Sequence, residues 1–117
     1  MQDENVCLLA SRDCVPCRGG VPKLTPEACA PLLAQLKGWQ VVDEHHLSAT
    51  FTFPDFVSGL AFVQRVTEVA EQNGHHPDVY LAWGKVRLDI WTHKIDGLTE
   101  SDFILAAKCD QVLPSGA

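Results

Sequence analysis

Apolar positions along the chain switch between a helical spacing of three to four residues and a strand spacing of two, and each switch marks an element. Thr25 is a good N-cap, Pro26 suits the first helical position, and Glu27 complements the positive helix end. Ala28, Leu32 and Leu36 then recur every four residues with Cys29 and Leu33 beside them, and Gly38 stops this first helix. A hairpin follows. Trp39 to Glu44 forms its first strand, and Leu47 to Phe53 its second, with Leu47, Ala49, Phe51 and Phe53 facing one way and Ser48, Thr50 and Thr52 the other. That alternation means one buried and one exposed face, as in an antiparallel sheet. His45 and His46 fall at the turn beside acidic residues and read as solvated. Pro54-Asp55 caps the longest helix, 56–72, with Phe56, Leu60, Val63, Val66 or Thr67, and Ala70 at the apolar spacing. Asn73-Gly74 stops it, since both residues tolerate the left-handed conformation.

A second hairpin runs through 78–82, a Trp83-Gly84-Lys85 turn, and 86–93. Val86, Leu88, Ile90 and Thr92 share one face of its second strand. Arg87, Asp89, Trp91 and His93 share the other, more polar face, which therefore borders a ligand or partner. After Gly97, Thr99 caps a last helix. Asp102 completes a capping box in which Asp replaces Glu, Leu98 and Phe103 form a hydrophobic staple, and Phe103, Ile104, Ala107 and Val112 supply the buried face. Pro114-Ser115-Gly116 reads as a frayed tail. The order α-β-β-α-β-β-α predicts an α+β fold: a four-stranded antiparallel sheet with helices packed on one face. The other face is then solvated, ligand-bound or covered by another subunit.

At 117 residues the chain suits one domain, placed at 23–113, preceded by a flexible or extended arm over 1–22. The net charge of −6 argues against a nucleic-acid or anionic-membrane binder. No apolar run is long enough to span a bilayer, and the acidic Met1-Gln2-Asp3-Glu4 start is unlike a signal peptide, so a cytoplasmic setting is expected. Five cysteines, an odd count without a secretory signal, read as reduced thiols. Cys14-x-x-Cys17 has no second ligand pair at zinc spacing, and glycine and proline follow where a redox motif would open a helix.

The candidate chemistry lies in Glu71-Gln72-Asn73-Gly74-His75-His76-Pro77, with His93 at the end of the following hairpin. Histidine titrates nearest neutrality, so such a cluster points to proton transfer or a metal. Neighbouring side chains of an extended strand face opposite ways, so His75 and His76 can share a pocket only if the helix exit is irregular, which Asn73-Gly74 and Pro77 allow. Glu71 stands in the last helical turn, where the dipole disfavours a carboxylate, and His75 is the expected cation beside it. A metal site needs ligands converging at about 2 Å. A metal-free acid/base site needs only hydrogen-bond reach to substrate.

The full spacing is Glu71-x-x-x-His75-His76-Pro77, five residues to Trp83, nine to His93 and eight to Asp102. With Leu24-Thr25, Phe51-x-Phe53, Thr92-His93 and Gly97-Leu98-Thr99, it resembles the pterin-4a-carbinolamine dehydratases over about 23–112. The resemblance implies the α+β fold, homodimers or homotetramers, and no metal or organic cofactor. It also implies a pterin substrate, 4a-hydroxytetrahydropterin, that loses water to give quinonoid dihydropterin. By that similarity His75 and His93 transfer protons, His76 binds and orients the pterin, and Glu71 supports an imidazole. Asp102 would support His93 while capping its helix, and Trp83 is pocket wall or turn packing. The Cys14-x-x-Cys17-Arg18-Gly19-Gly20 arm resembles an extension on a subset of members. Some of those look like non-catalytic assembly factors of the Rubisco-assembly type, which sets the alternative reading.

Overall fold

The computed structural model describes residues 22–114, so Cys14-x-x-Cys17 and the arm before it, like Ser115 and Gly116, lie outside the described residues. The elements are α1 (Pro26–Leu33), β1 (Gln40–Val42), β2 (His46–Thr52), α2 (Phe56–Asn73), β3 (Asp78–Ala82), β4 (Lys85–Ile90) and α3 (Glu100–Gln111). They form an α+β fold in the expected order. The strands make one sheet in the order β1-β2-β4-β3, every pair antiparallel. The central pair sets Leu47 opposite Ile90, Ala49 opposite Leu88 and Phe51 opposite Val86. One face of the sheet is therefore apolar, and Phe62, Val66, Phe103, Ile104 and Ala106 of the helices close over it. The other face carries Thr50, Tyr80 and Arg87, with the Arg87 guanidinium 4.0 Å from the Tyr80 ring centre.

α1 is shorter than its sequence pattern. Thr25 accepts the Ala28 N–H at 3.2 Å, but the helix ends at Leu33 rather than running to Gly38. The chain then tightens into bonds of shorter span, Gln35 to Leu32 and Leu36 to Leu33, which use up carbonyls that a further helical turn would need. Pro31 inside the helix already lacks one donor. Only Cys29 is buried there, and Ala28, expected on the apolar face, is exposed. Burial pushes the Cys29 thiol above its usual range, so it is a protonated core residue.

The buried face of α2 also differs from the expected one. Gly59, Phe62, Val66 and Ala70 are buried, whereas Phe56 and Leu60 remain 43% and 39% exposed. Gly59 sets this rotation: a Cβ there would meet Leu81 at 3.3 Å and Val86 at 3.4 Å, so the helix seats on the sheet at that point. Phe62 then enters the core, with its ring centre 5.0 Å from Phe51 and 5.5 Å from Phe53. Asp55 caps the helix by accepting the Ser58 N–H at 2.8 Å.

β4 was expected to reach His93 but ends at Ile90. Its register pairs Ile90 with Leu47, so a longer strand would run into the β1–β2 turn, where no partner strand remains. Thr92 instead pairs with Gly97, closing a loop that projects His93.

Candidate active site

The site is built where α2 stops. Gly74 takes the left-handed conformation at φ 63°, and the His75 N–H returns to the Ala70 carbonyl at 3.3 Å. The chain then leaves extended, so the two imidazoles diverge: His75 is buried and His76 is exposed.

His75 points at the start of α3. Its Nε2 lies 2.6 Å from Asp102 Oδ1. The other carboxylate oxygen of Asp102 accepts the Thr99 N–H at 2.8 Å and the Thr92 hydroxyl at 2.9 Å. Because the Thr92 proton goes to Asp102, the Thr99 hydroxyl, 3.0 Å away, donates to Thr92. Asp102 is wholly buried, and its ion is satisfied by three donors. A carboxylate can only accept, so His75 carries its proton on Nε2. Its Nδ1, which has no hydrogen-bond partner among the described residues, is left for the cavity that His75 lines.

Two sequence expectations are corrected here. Asp102 supports His75 rather than His93, because the chain leaves the sheet at Ile90 and swings His93 outward on the Thr92–Gly97 loop. Glu71 pairs with His76 rather than His75, Oε2 to Nε2 at 2.7 Å, because His75 has turned inward. Both partners in this second pair are largely exposed, so it orients the His76 ring more than it stabilises the fold.

His75, His76 and His93 line one cavity of about 380 Å³ together with Gly74, Trp91, Thr92 and Lys94. The His93 ring is stacked on Trp91, centres 4.3 Å apart and planes 29° apart. Trp83 is not among the lining residues: it sits on the β3–β4 turn, 73% exposed. Nor are His45 and His46 simply solvated. Both are half-buried beside Trp91, and His45 bonds Asp96. Sequence reasoning did not assign a site role to Thr92, whose hydroxyl holds Asp102; its only signal was a hydroxyl ending the apolar stripe Val86, Leu88, Ile90. Among the described residues no three histidine, cysteine or carboxylate side chains are grouped so as to hold a metal ion.

An α+β protein with three imidazoles around one cavity, one of them held by a buried carboxylate, brings together groups that can exchange protons near neutrality. The family model for pterin 4 alpha carbinolamine dehydratase matches residues 22–112, and the chain belongs to that family. A relative from Rubrobacter xylanophilus, provisionally named as a pterin-4-alpha-carbinolamine dehydratase, is 55% identical over 104 residues, covering 89% of this chain and 97% of that one. One from Rickettsia bellii with the same provisional name is 49% identical over 105 residues, 89% of this chain and 93% of the relative. Among solved structures, a transcriptional coactivator/pterin dehydratase from Brucella melitensis is similar at TM-score 0.74 and 31% identity, covering 79% of this chain and 99% of that one. A pterin dehydratase-like protein described as a RuBisCO assembly factor in the alpha-carboxysome has TM-score 0.57 and 20% identity, covering 68% and 94%, a likeness of fold alone.

Proposed function

We propose that the protein is a 4a-hydroxytetrahydropterin dehydratase, a hydro-lyase. The observation that carries the reading is the convergence of His75, His76 and His93 on one cavity, with Asp102 behind His75. In the elimination, the carbon–oxygen bond of the carbinolamine breaks and its electron pair leaves with the hydroxyl. A proton delivered to that oxygen makes the leaving group water. The adjacent ring nitrogen gives up its proton, and the N–H electron pair forms the carbon–nitrogen double bond of the quinonoid product. His75 is the base, because its Nδ1 is the unprotonated nitrogen of a ring whose other nitrogen donates to Asp102. His93, open to solvent on the far wall, is the acid and can be recharged from water. His76, steered by Glu71, binds and orients the pterin. No step calls for a metal or an organic cofactor.

The reading extends to a cytoplasmic role in tetrahydrobiopterin regeneration, with 23–113 as the catalytic domain and 1–22 as an arm. It also includes assembly into a homodimer or homotetramer. Phe56, Val57 and Leu60, neighbours on one side of α2 and 43%, 72% and 39% exposed, support that assembly, and light scattering of the purified protein tests it. The alternative, a non-catalytic assembly factor, has a fold likeness behind it but no reason to keep all three imidazoles at one cavity.

The deciding experiment follows dehydration of 4a-hydroxytetrahydropterin by the wild type, His75→Ala and His93→Ala. Each variant should lose about a hundredfold or more in rate, the usual worth of a positioned acid or base. A wild type no faster than buffer ends the enzymatic reading.

A further inference from the structure

One group of titratable side chains stands just outside the cavity and takes no part in the proton transfers described above. Asp43 and Glu44 both adopt the left-handed conformation, at φ 54° and 56°, and the His45 N–H closes on the Val42 carbonyl at 2.9 Å. This tight turn carries His45 and His46 towards the loop that presents His93. His45 Nε2 donates to Asp96 Oδ1 at 2.7 Å. Its Nδ1 lies 3.1 Å from His46 Nδ1, so a single proton is shared between those two atoms. Asp96 is itself held by the loop: it is left-handed at φ 57°, and its N–H bonds the Thr92 carbonyl at 2.9 Å. A second connection runs through Trp91, whose ring centre is 5.2 Å from His45, 5.8 Å from His46 and 4.3 Å from His93.

His93 needs such a frame. It is exposed, and its ring makes no hydrogen bond among the described residues, so only the Trp91 stack and the loop backbone define its direction. An acid that must meet one oxygen of a bound substrate cannot be left to rotate freely. We propose that His45 is a positioning residue for His93, acting on it through Asp96 at the end of its loop and through the face of Trp91. The role rests on His93 being a proton-transfer residue, but the mechanical coupling does not. The His45 contact also holds the Asp96 carboxyl below its usual range, so the tie is between a donor and a full carboxylate at neutral pH.

The test is made on the full chain by imidazole-carbon-selective NMR alongside dehydratase kinetics. In the wild type, stacking on the indole should move the His93 ring proton upfield; loss of the signal in His93→Ala assigns it, and Trp91→Ala should abolish the displacement. In His45→Ala the His93 signal should relax towards that of a free histidine. His45→Gln, whose amide can still donate to Asp96, should restore it. Asp96→Gly removes the same tie at a backbone angle that suits glycine, and it should reproduce His45→Ala even if that variant folds poorly. Dehydration should fall about tenfold in kcat with KM little changed, below the hundredfold that an ångström of misplacement can cost. An unmoved His93 signal in folded His45→Ala or Asp96→Gly overturns the proposal, whatever happens to the rate. A moved signal in a protein with no dehydratase activity leaves the coupling standing and removes the enzymatic reading instead.

Discussion

Replacing Asp102 separates its structural duty from its chemical one. Asp102→Ala removes the acceptor for three donors: His75 Nε2–H, the Thr92 hydroxyl and the Thr99 N–H. The Thr92 hydroxyl can turn to Thr99, 3.0 Å away, so the buried His75 Nε2–H and the part-buried Thr99 N–H remain orphaned. At about 1–3 kcal/mol each, the loss is about 2–6 kcal/mol. Against a total stability of about 5–15 kcal/mol, that variant should unfold at far lower denaturant. Asp102→Asn behaves differently. Its amide oxygen, placed where Oδ2 stood, still accepts from Thr92 and Thr99, while its NH2 faces His75. The reverse orientation would set the NH2 against two donors and is excluded. His75 Nε2 must then accept, and the ring proton moves to Nδ1, the nitrogen available to the cavity. The fold should lose only about 1 kcal/mol, from charged hydrogen bonds becoming neutral ones. Activity should fall about a hundredfold to ten-thousandfold, because the base now carries a proton where it should accept one. Urea unfolding gives the first quantity, steady-state dehydration the second, and imidazole nitrogen NMR the tautomer. An Asn variant with activity within about threefold of wild type and Nδ1 protonated would refute the assignment of His75 as base.

Three further outcomes follow from the same geometry. Phe62→Ala, at the meeting point of α2 with Phe51 and Phe53, should lower stability by about 3–5 kcal/mol, read as a fall in the urea midpoint without a change in slope. Glu71→Gln should leave stability within about 0.5 kcal/mol, since the pair with His76 is exposed, and should cost far less activity than Asp102→Asn; an equal loss would move Glu71 into the proton-transfer machinery. Asp55 caps α2, and the Ser58 N–H holds its carboxyl below the ordinary 3.8. A depressed folded value stabilises the fold above the unfolded pKa and is lost as pH falls through the folded one. Asp55→Ala should therefore melt below wild type at neutral pH, with the gap closing in acid below 3.8; a gap independent of pH would show that the cap acts without its charge.

The sequence made the layers legible because each rests on a local rule. Alternation from Leu47 to Phe53 and the stop at Asn73-Gly74 require no knowledge of what packs against them. The rotation of α2 was not local. Phe56 and Leu60 fit a helical stripe as well as Phe62 does, and the choice was made by Gly59 seating on Leu81 and Val86, contacts about 22 and 27 residues away in sequence. The site divides in the same way. Three histidines at fixed spacings were readable as a set, and so was Asp102 as a cap. Which imidazole Asp102 would hold was not, because it depends on where β4 loses its partner. Had the β1–β2 turn come two residues earlier, the ladder could have run on to Thr92, and His93 would have lain against the sheet instead of on a loop. The register that buries Leu47 opposite Ile90 is thus also what frees His93 and leaves Thr92 to close on Gly97 with its hydroxyl on Asp102. Core packing and the placement of the imidazoles around the cavity are two consequences of one alignment. A change to the length of the β1–β2 turn should therefore disturb the His93 side of the cavity and the Thr92 bond to Asp102, while leaving the His75–Asp102 bond, made between the exit of α2 and α3, in place.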